Sequence, residues 1–129
     1  MIFITIVLDF NSNTLIVAME IGVWMGFSKP IEICTTCIES CETCITSCLV
    51  SNASKMSGCI QACRDCADIC SMTVRFLSRN SKHANRLASL CAIISDICAK
   101  ECSKYEDEEC KKCAKACKKC SLECSSISN

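Results

Sequence analysis

From residue 28 onward, the apolar and polar positions of the chain repeat with the period of an α-helix. Small apolar side chains recur at steps of three and four residues, and the positions between them are mostly polar or charged. Such steps keep side chains on one face of a helix, which is normally buried against other elements. Most of the recurring residues are cysteine instead of leucine or isoleucine. Polar clusters at 51–57 and 79–81 and an acidic run at 106–109 divide the pattern into four segments.

Each of the four segments predicts one helix. Ser28 is a candidate N-cap for the first helix, with Pro30 in its first turn, where the missing N–H costs nothing. Four helices joined by short links predict an all-α fold, an antiparallel up-down-up-down four-helix bundle with a cysteine-lined core. The predicted helices run from Pro30 to about Leu49, from about Ser54 to Leu77, from about Lys82 to the acidic run, and from about Glu108 to Ser125.

The first 29 residues differ from the rest of the chain. They contain no cysteine, so we treat 1–29 as an extension and 30–126 as the bundle domain. The extension is compatible with a strand pair or an unstructured segment, and a signal or anchor is the alternative. As a signal it lacks a basic start, and as a membrane span each apolar run is too short. We therefore favour the cytoplasm, where thiols stay reduced, with export as the alternative.

The predicted bundle has two different ends. The inner end holds the link between helices 2 and 3, where we expect an aliphatic plug of Val74, Leu77, Leu87 and Leu90, with Ile94 also buried. At the outer end, which holds the other two links, we expect four thiols near the surface, where ions would enter: Cys48, Cys59, Cys102 and Cys110. Apolar residues beside the cysteine stripes are expected to bury further surface and keep the helices folded without metal: Ile38, Ile45, Ile69, Ile97 and Leu122.

Composition and charge narrow the function classes. Fourteen basic and 14 acidic residues give no net charge, which disfavours binding to nucleic acid or to an acidic membrane surface. Seventeen cysteines in 129 residues suggest a disulfide scaffold, but only three Gly and one Pro are present and the cysteine spacing is helical. An odd cysteine count also leaves one thiol unpaired. A disulfide-stapled structural bundle remains the alternative from a second class.

Thiolates in register on four helices point to a soft metal ion. Each thiolate that binds one Cu(I) is neutralised, whereas zinc held by four thiolates leaves two negative charges to be buried. We therefore expect multiple Cu(I) ions, with zinc or another soft ion as the alternative. The cysteine run typical of bacterial ferredoxins is absent. No Cys/His pair or nucleotide loop is present, so we expect no enzyme activity. The candidate ligands are the thiols of Cys34, Cys37, Cys41, Cys44, Cys48, Cys59, Cys63, Cys66, Cys70, Cys91, Cys98, Cys102, Cys110, Cys113, Cys117, Cys120 and Cys124, and the thioether of Met56 at the outer end.

The cysteine segments 34–48, 59–70, 98–102 and 110–124 resemble those of the copper storage proteins, four-helix bundles whose cysteine-lined cores hold many Cu(I) ions. The resemblance covers residues 31–125 and implies copper storage, buffering and detoxification. Two departures stand out. Ser95 occupies a position where the rhythm of helix 3 places a cysteine, and the histidines that the family often has at the outer end are replaced by Tyr105 and the acidic run. A copper donor or acceptor protein and a homo-oligomer remain open as partners, and His83 is expected at the surface.

Overall fold

The computed structural model describes residues 26–128, and within them the chain forms four α-helices. The part of the predicted extension up to residue 25 lies outside the described residues. Each helix packs against the next one along the chain, and the first also packs against the last. The predicted all-α four-helix bundle is confirmed. The helices are α1 (Ser28–Asn52), α2 (Ser57–Ser78), α3 (Ala84–Cys102) and α4 (Glu108–Ser128).

Neighbouring helices run antiparallel, as the contacts between α1 and α2 show. Cys37 Sγ lies 3.7 Å from Cys66 Sγ, and Cys44 Sγ lies 3.5 Å from Cys59 Sγ. Residue numbers therefore rise along α1 as they fall along α2. Short links between successive helices are typical of this up-down-up-down topology.

The boundaries of α1 differ from the predicted ones. Ser28 already belongs to the helix, and no side chain caps its start, so the predicted capping role is wrong. Pro30 lies in the first turn, as predicted. The helix continues beyond Leu49 to Asn52. Asn52 accepts two hydrogen bonds from the residues that follow the helix. The Asn52 carbonyl accepts a hydrogen bond from the Met56 N–H at 3.0 Å, and its side-chain oxygen accepts one from the Lys55 N–H at 3.2 Å.

The link at the inner end is formed by local hydrogen bonds. Asn80 adopts a left-handed backbone conformation with φ 50°, which asparagine tolerates better than most residues. The Ser81 N–H then donates to the Phe76 carbonyl at 2.9 Å, which terminates α2. Ser81 Oγ accepts a hydrogen bond from the N–H of His83, and α3 begins at Ala84, two residues later than predicted. His83 is exposed, as expected.

Three aliphatic residues that we expected inside the bundle are exposed instead. Leu90 is 46% exposed, Ile97 57% and Leu122 62%. Leu90 and Ile97 each precede a buried cysteine by one position, which is about 100° around the helix. The buried stripe is narrow, so residues immediately beside it turn toward solvent. The remaining expected core residues are buried or partly buried: Ile38, Ile45, Ile69, Val74, Leu77, Leu87 and Ile94.

Among the described helices, α1 is the one that is long and apolar enough to cross a membrane by length and composition. Its cysteines face the bundle core with 0% exposure. A core helix of a bundle meets the same length and composition criteria. The burial of its cysteines therefore accounts for its apolar character.

Candidate metal centre

All 17 cysteines lie inside the bundle as free thiols, with relative exposures of 0–1%. The four thiols that we expected near the surface at the outer end are therefore also covered by protein. Cys48, Cys59, Cys102 and Cys110 are as inaccessible to solvent as the others. Cys48 and Cys110 nevertheless have fewer protein atoms around them than a central thiol such as Cys117. The outer end is therefore covered, but by a thinner layer of protein.

The sulfur atoms lie at distances that a shared metal ion can span. Cys59 Sγ is 3.4 Å from Cys102 Sγ on the neighbouring helix α3 and 4.0 Å from Cys63 Sγ one turn along its own helix. A disulfide bond requires about 2.05 Å. Two sulfurs bound to one ion at about 2.3 Å are about 3.8 Å apart in a tetrahedral site. The distances between the thiols therefore allow neighbouring thiols to bind the same metal ion.

The thiols also form groups of four in which all Sγ atoms lie within 4.8 Å of one another. Parallel rows of thiols therefore bring four sulfurs close enough together to share one metal ion. Several cysteines belong to two quartets, so the overlapping quartets cannot all act as separate four-thiolate sites. Five of the quartets are Cys34/Cys70/Cys91/Cys120, Cys37/Cys41/Cys66/Cys117, Cys41/Cys98/Cys113/Cys117, Cys44/Cys59/Cys63/Cys102 and Cys44/Cys48/Cys59/Cys110.

Charge distinguishes between ions that fit this geometry. Within residues 26–127, the buried polar side chains apart from cysteine are Thr73, Ser95 and Ser121, and the lysines of α4 are exposed. No buried cation is therefore available there to neutralise thiolates. A zinc ion with four thiolates would leave two uncompensated negative charges in the core, which is costly. One Cu(I) ion per thiolate leaves no uncompensated charge in the core.

Burial holds protons on thiols at the outer end. Burial, together with the smaller effect of the negative charge of ionised Cys59, raises the pKa of Cys48 to about 11. Burial also raises the pKa of Cys110. Cys63 differs, because a hydrogen bond from Cys102 stabilises its thiolate and lowers its pKa to about 6. A metal ion that binds at Cys48 or Cys110 at neutral pH must therefore displace a proton.

Ser95 lies inside the thiol column, at the position where the spacing of α3 places a cysteine. It is 0% exposed, and its Oγ is 3.5 Å from the sulfurs of both Cys66 and Cys120. The same oxygen is 3.8 Å from Cys91 Sγ and 4.0 Å from Cys70 Sγ. The hydroxyl thus replaces one thiol in the middle of the column, as the sequence pattern predicted.

The outer end is covered by residues that sequence reasoning only partly identified. Met56 is 6% exposed and packs in the same cluster as the thiols. Tyr105 packs against that cluster, and its hydroxyl donates a hydrogen bond to Glu101 Oε2 at 3.3 Å. A Cβ atom at Gly58 would lie 2.5 Å from the same carboxylate oxygen. Gly58 therefore permits Glu101 to cross the start of α2. The periodicity places Glu101 outside the stripe and carries no signal of this contact.

The family of the chain follows from comparison with known proteins. The copper storage protein (Csp) family model matches residues 25–129, which include the whole bundle and every cysteine. The chain belongs to the copper storage protein family. The match confirms the resemblance seen in the cysteine segments.

The chain is similar to a cysteine-rich protein known from its sequence and to copper storage proteins of known structure. The chain is 38% identical to the uncharacterized cysteine-rich protein YhjQ of Bacillus subtilis (strain 168), over 76% of this chain and 92% of the relative. The structure of apo-Csp3 from Bacillus subtilis has a TM-score of 0.75 and 37% identity, over 80% of this chain and 99% of that one. The Streptomyces lividans copper storage protein Ccsp, loaded with 10 copper equivalents, has a TM-score of 0.76 and 29% identity, over 79% and 83% of the two chains.

Proposed function

We propose that this family member binds and stores multiple Cu(I) ions in its thiolate-lined core and so buffers and detoxifies copper. The observation that carries the proposal is the column of buried free thiols, many of them in groups of four, with no buried cation beside them in the described residues. Such a column suits many singly charged soft ions that share ligands. Relatives of similar fold are described as Cu(I)-bound Csp3 and as Ccsp loaded with ten copper equivalents.

Copper binding in this core is a proton exchange. Each thiol that binds Cu(I) loses its proton to solvent and becomes a neutral copper thiolate. No oxidant or reductant is needed, because copper enters and leaves in the same oxidation state. All 17 cysteines serve as ligands in this proposal, and the chain needs no catalytic group.

We also assign Met56 as a ligand that passes ions into the core at the outer end. Its burial among the thiols and its position immediately before α2 support this role. The protein is expected to act in the cytoplasm, as one relative from Streptomyces lividans is described as cytosolic. A copper donor or acceptor protein would then dock at the outer end.

An anaerobic titration tests the storage function directly. Reduced, purified protein is titrated with Cu(I) in the presence of a competing chromophoric chelator, and the ions withheld per chain are counted. A stoichiometry above about ten ions per chain is expected from the number of thiols. One or two ions per chain would contradict storage. A parallel titration with Zn(II) tests the alternative ion, and we expect fewer zinc ions because of the uncompensated charge.

A further inference from the structure

The sulfur contacts of the core form two networks that share no contact. Within residues 26–128, every Sγ–Sγ contact of 4.0 Å or less with hydrogen-bonding geometry falls inside one network or the other. The outer network contains 12 thiols and reaches the outer end. The inner network contains the five thiols closest to the inner end: Cys34, Cys70, Cys91, Cys120 and Cys124.

Ser95 lies on the boundary between the two networks. Its Oγ contacts Cys66 of the outer network at 3.5 Å and donates a hydrogen bond to Cys120 of the inner network at 3.5 Å. Cys37 of the outer network also interacts with Cys120 and Cys70, and Cys66 interacts with Cys70, but none of these pairs makes a contact of 4.0 Å or less with hydrogen-bonding geometry. Among the described residues, the Ser95 hydroxyl is therefore the one side-chain group that makes such contacts with both networks.

A hydroxyl at this boundary hinders the movement of copper. Cu(I) passes between buried sites by ligand exchange, in which a new Cu–S bond forms as an old one breaks. Each step therefore needs a thiolate within reach of the ion. A serine hydroxyl is a hard ligand that is not ionised at neutral pH, and Cu(I) prefers thiolates. At Ser95, α3 contributes no sulfur to the path, so an ion must cross a longer gap between thiols of the other helices.

Among the residues that the structure describes, nothing offers the inner network another route to solvent through the inner end of the bundle. Ile33 and Ala88 are buried in the cluster that contains the thiols, and Val74 and Ile127 pack against it. Leu77, 1% exposed, closes the link between α2 and α3. These side chains offer no soft ligand. Copper that reaches the inner thiols therefore enters and leaves across the boundary at Ser95.

We propose that Ser95 divides the stored copper into two pools, an outer pool that exchanges quickly and an inner pool of five thiols that fills late and releases slowly. The inference rests on the proposed storage function. The inner pool is a reserve that is withheld while the outer pool buffers free Cu(I). Each copper ion that leaves a thiolate is replaced there by a proton, so the exchange remains balanced.

Copper release from the loaded protein tests the division. Fully loaded, reduced protein is mixed with an excess of a chromophoric Cu(I) chelator, and the absorbance is followed over time. Two phases are expected, with the slow phase carrying about five seventeenths of the copper. Ser95→Cys supplies the missing sulfur and should accelerate the slow phase by at least about tenfold, which corresponds to about 1.4 kcal/mol in the barrier. A slow phase that keeps its rate and amplitude in this variant would overturn the inference.

Two control variants separate the added ligand from other effects. Ser121 is also buried on the inner half of the bundle, but its hydroxyl donates to the Ala92 carbonyl at 2.8 Å and contacts neither network. Ser121→Cys adds a thiol outside the column and should retain both phases. Ser95→Ala removes the hydroxyl without adding a ligand and should retain them as well. Loss of the slow phase in either control would contradict the role assigned to Ser95.

A second measurement needs no variant. Crystals of the wild-type protein loaded with about half of its copper capacity are measured at the copper absorption edge, and anomalous density is assigned to thiols. High occupancy in the outer network and low occupancy around Cys34 and Cys91 are expected. Equal occupancy in both networks would overturn the two pools while leaving storage intact. Uptake of only one or two ions in total would instead overturn the storage function, and the inference with it.

Discussion

Cys117 and Cys124 form a matched pair that tests whether copper capacity follows the sulfur contacts. Both are 0% exposed cysteines of α4. Cys117 Sγ lies within hydrogen-bonding distance of four other sulfurs, at 3.7–3.8 Å, and belongs to two quartets. Cys124 makes one such contact, with Cys34 at 3.7 Å. Removal of the Cys117 sulfur therefore deprives more neighbours of a shared ligand.

The two alanine variants should lose different numbers of copper ions but similar amounts of folding stability. Cys117→Ala should lose at least about two copper ions, and Cys124→Ala about one, because a thiolate that bridges several partners completes several sites. Without copper, each variant loses one buried sulfur and should be destabilised by about 1–2 kcal/mol, as for removal of a similar volume from a core. That corresponds to a fall in Tm of about 4–8 °C per kcal/mol for a domain of this size.

Two assays on the same preparations separate these effects. The anaerobic Cu(I) titration against a chromophoric chelator counts ions, and urea unfolding of the copper-free proteins measures stability. Equal copper losses in the two variants would refute the argument from shared ligands. Copper losses in proportion to the loss of stability of the copper-free variants would also refute the argument, because they would indicate a folding defect.

Four further outcomes are expected. The copper-free protein should show the circular dichroism of a helical bundle, since apolar residues such as Ile45 remain buried without metal, and a random-coil spectrum would contradict this. Cu(I) affinity should fall as pH drops from about 8 to about 5, because protons compete for the thiolates; a pH-independent affinity would argue against thiol ligation. Burial raises the pKa of Cys48 from 9.0 to about 11, so its stabilisation of the copper-free fold is complete below pH 9 and is lost between pH 9 and about 11. Urea unfolding across that range should show lower stability at higher pH, and a rise would reverse the sign of the argument. Gly58→Ala should displace Glu101 and speed initial copper uptake in stopped-flow mixing, with capacity unchanged and stability altered by no more than about 1 kcal/mol; unchanged uptake would show that the contact does not limit access.

Cysteine spacing, together with the polar breaks between the cysteine segments, was sufficient to predict the helices, their number and the cysteine-lined core. Steps of three and four residues determine which side chains share a face of a helix, whatever the rest of the protein does. The link residues were less informative. The predicted end of α1 and the predicted start of α2 are each off by three residues, because Asn52 makes hydrogen bonds that periodicity does not report. Exposure of Leu90 and Ile97 was also missed, since hydrophobicity does not show how wide a buried stripe is.

Only the tertiary structure decided how the thiols are connected and what closes the two ends of the column. The position of Ser95 in the cysteine rhythm is visible in the sequence, but its contacts with Cys66 and Cys120 depend on the register of three helices. The closure of the outer end likewise depends on Glu101 crossing Gly58, a contact between two helices. Periodicity is a property of one helix and follows from the local backbone geometry, whereas these contacts follow from how the helices pack against one another.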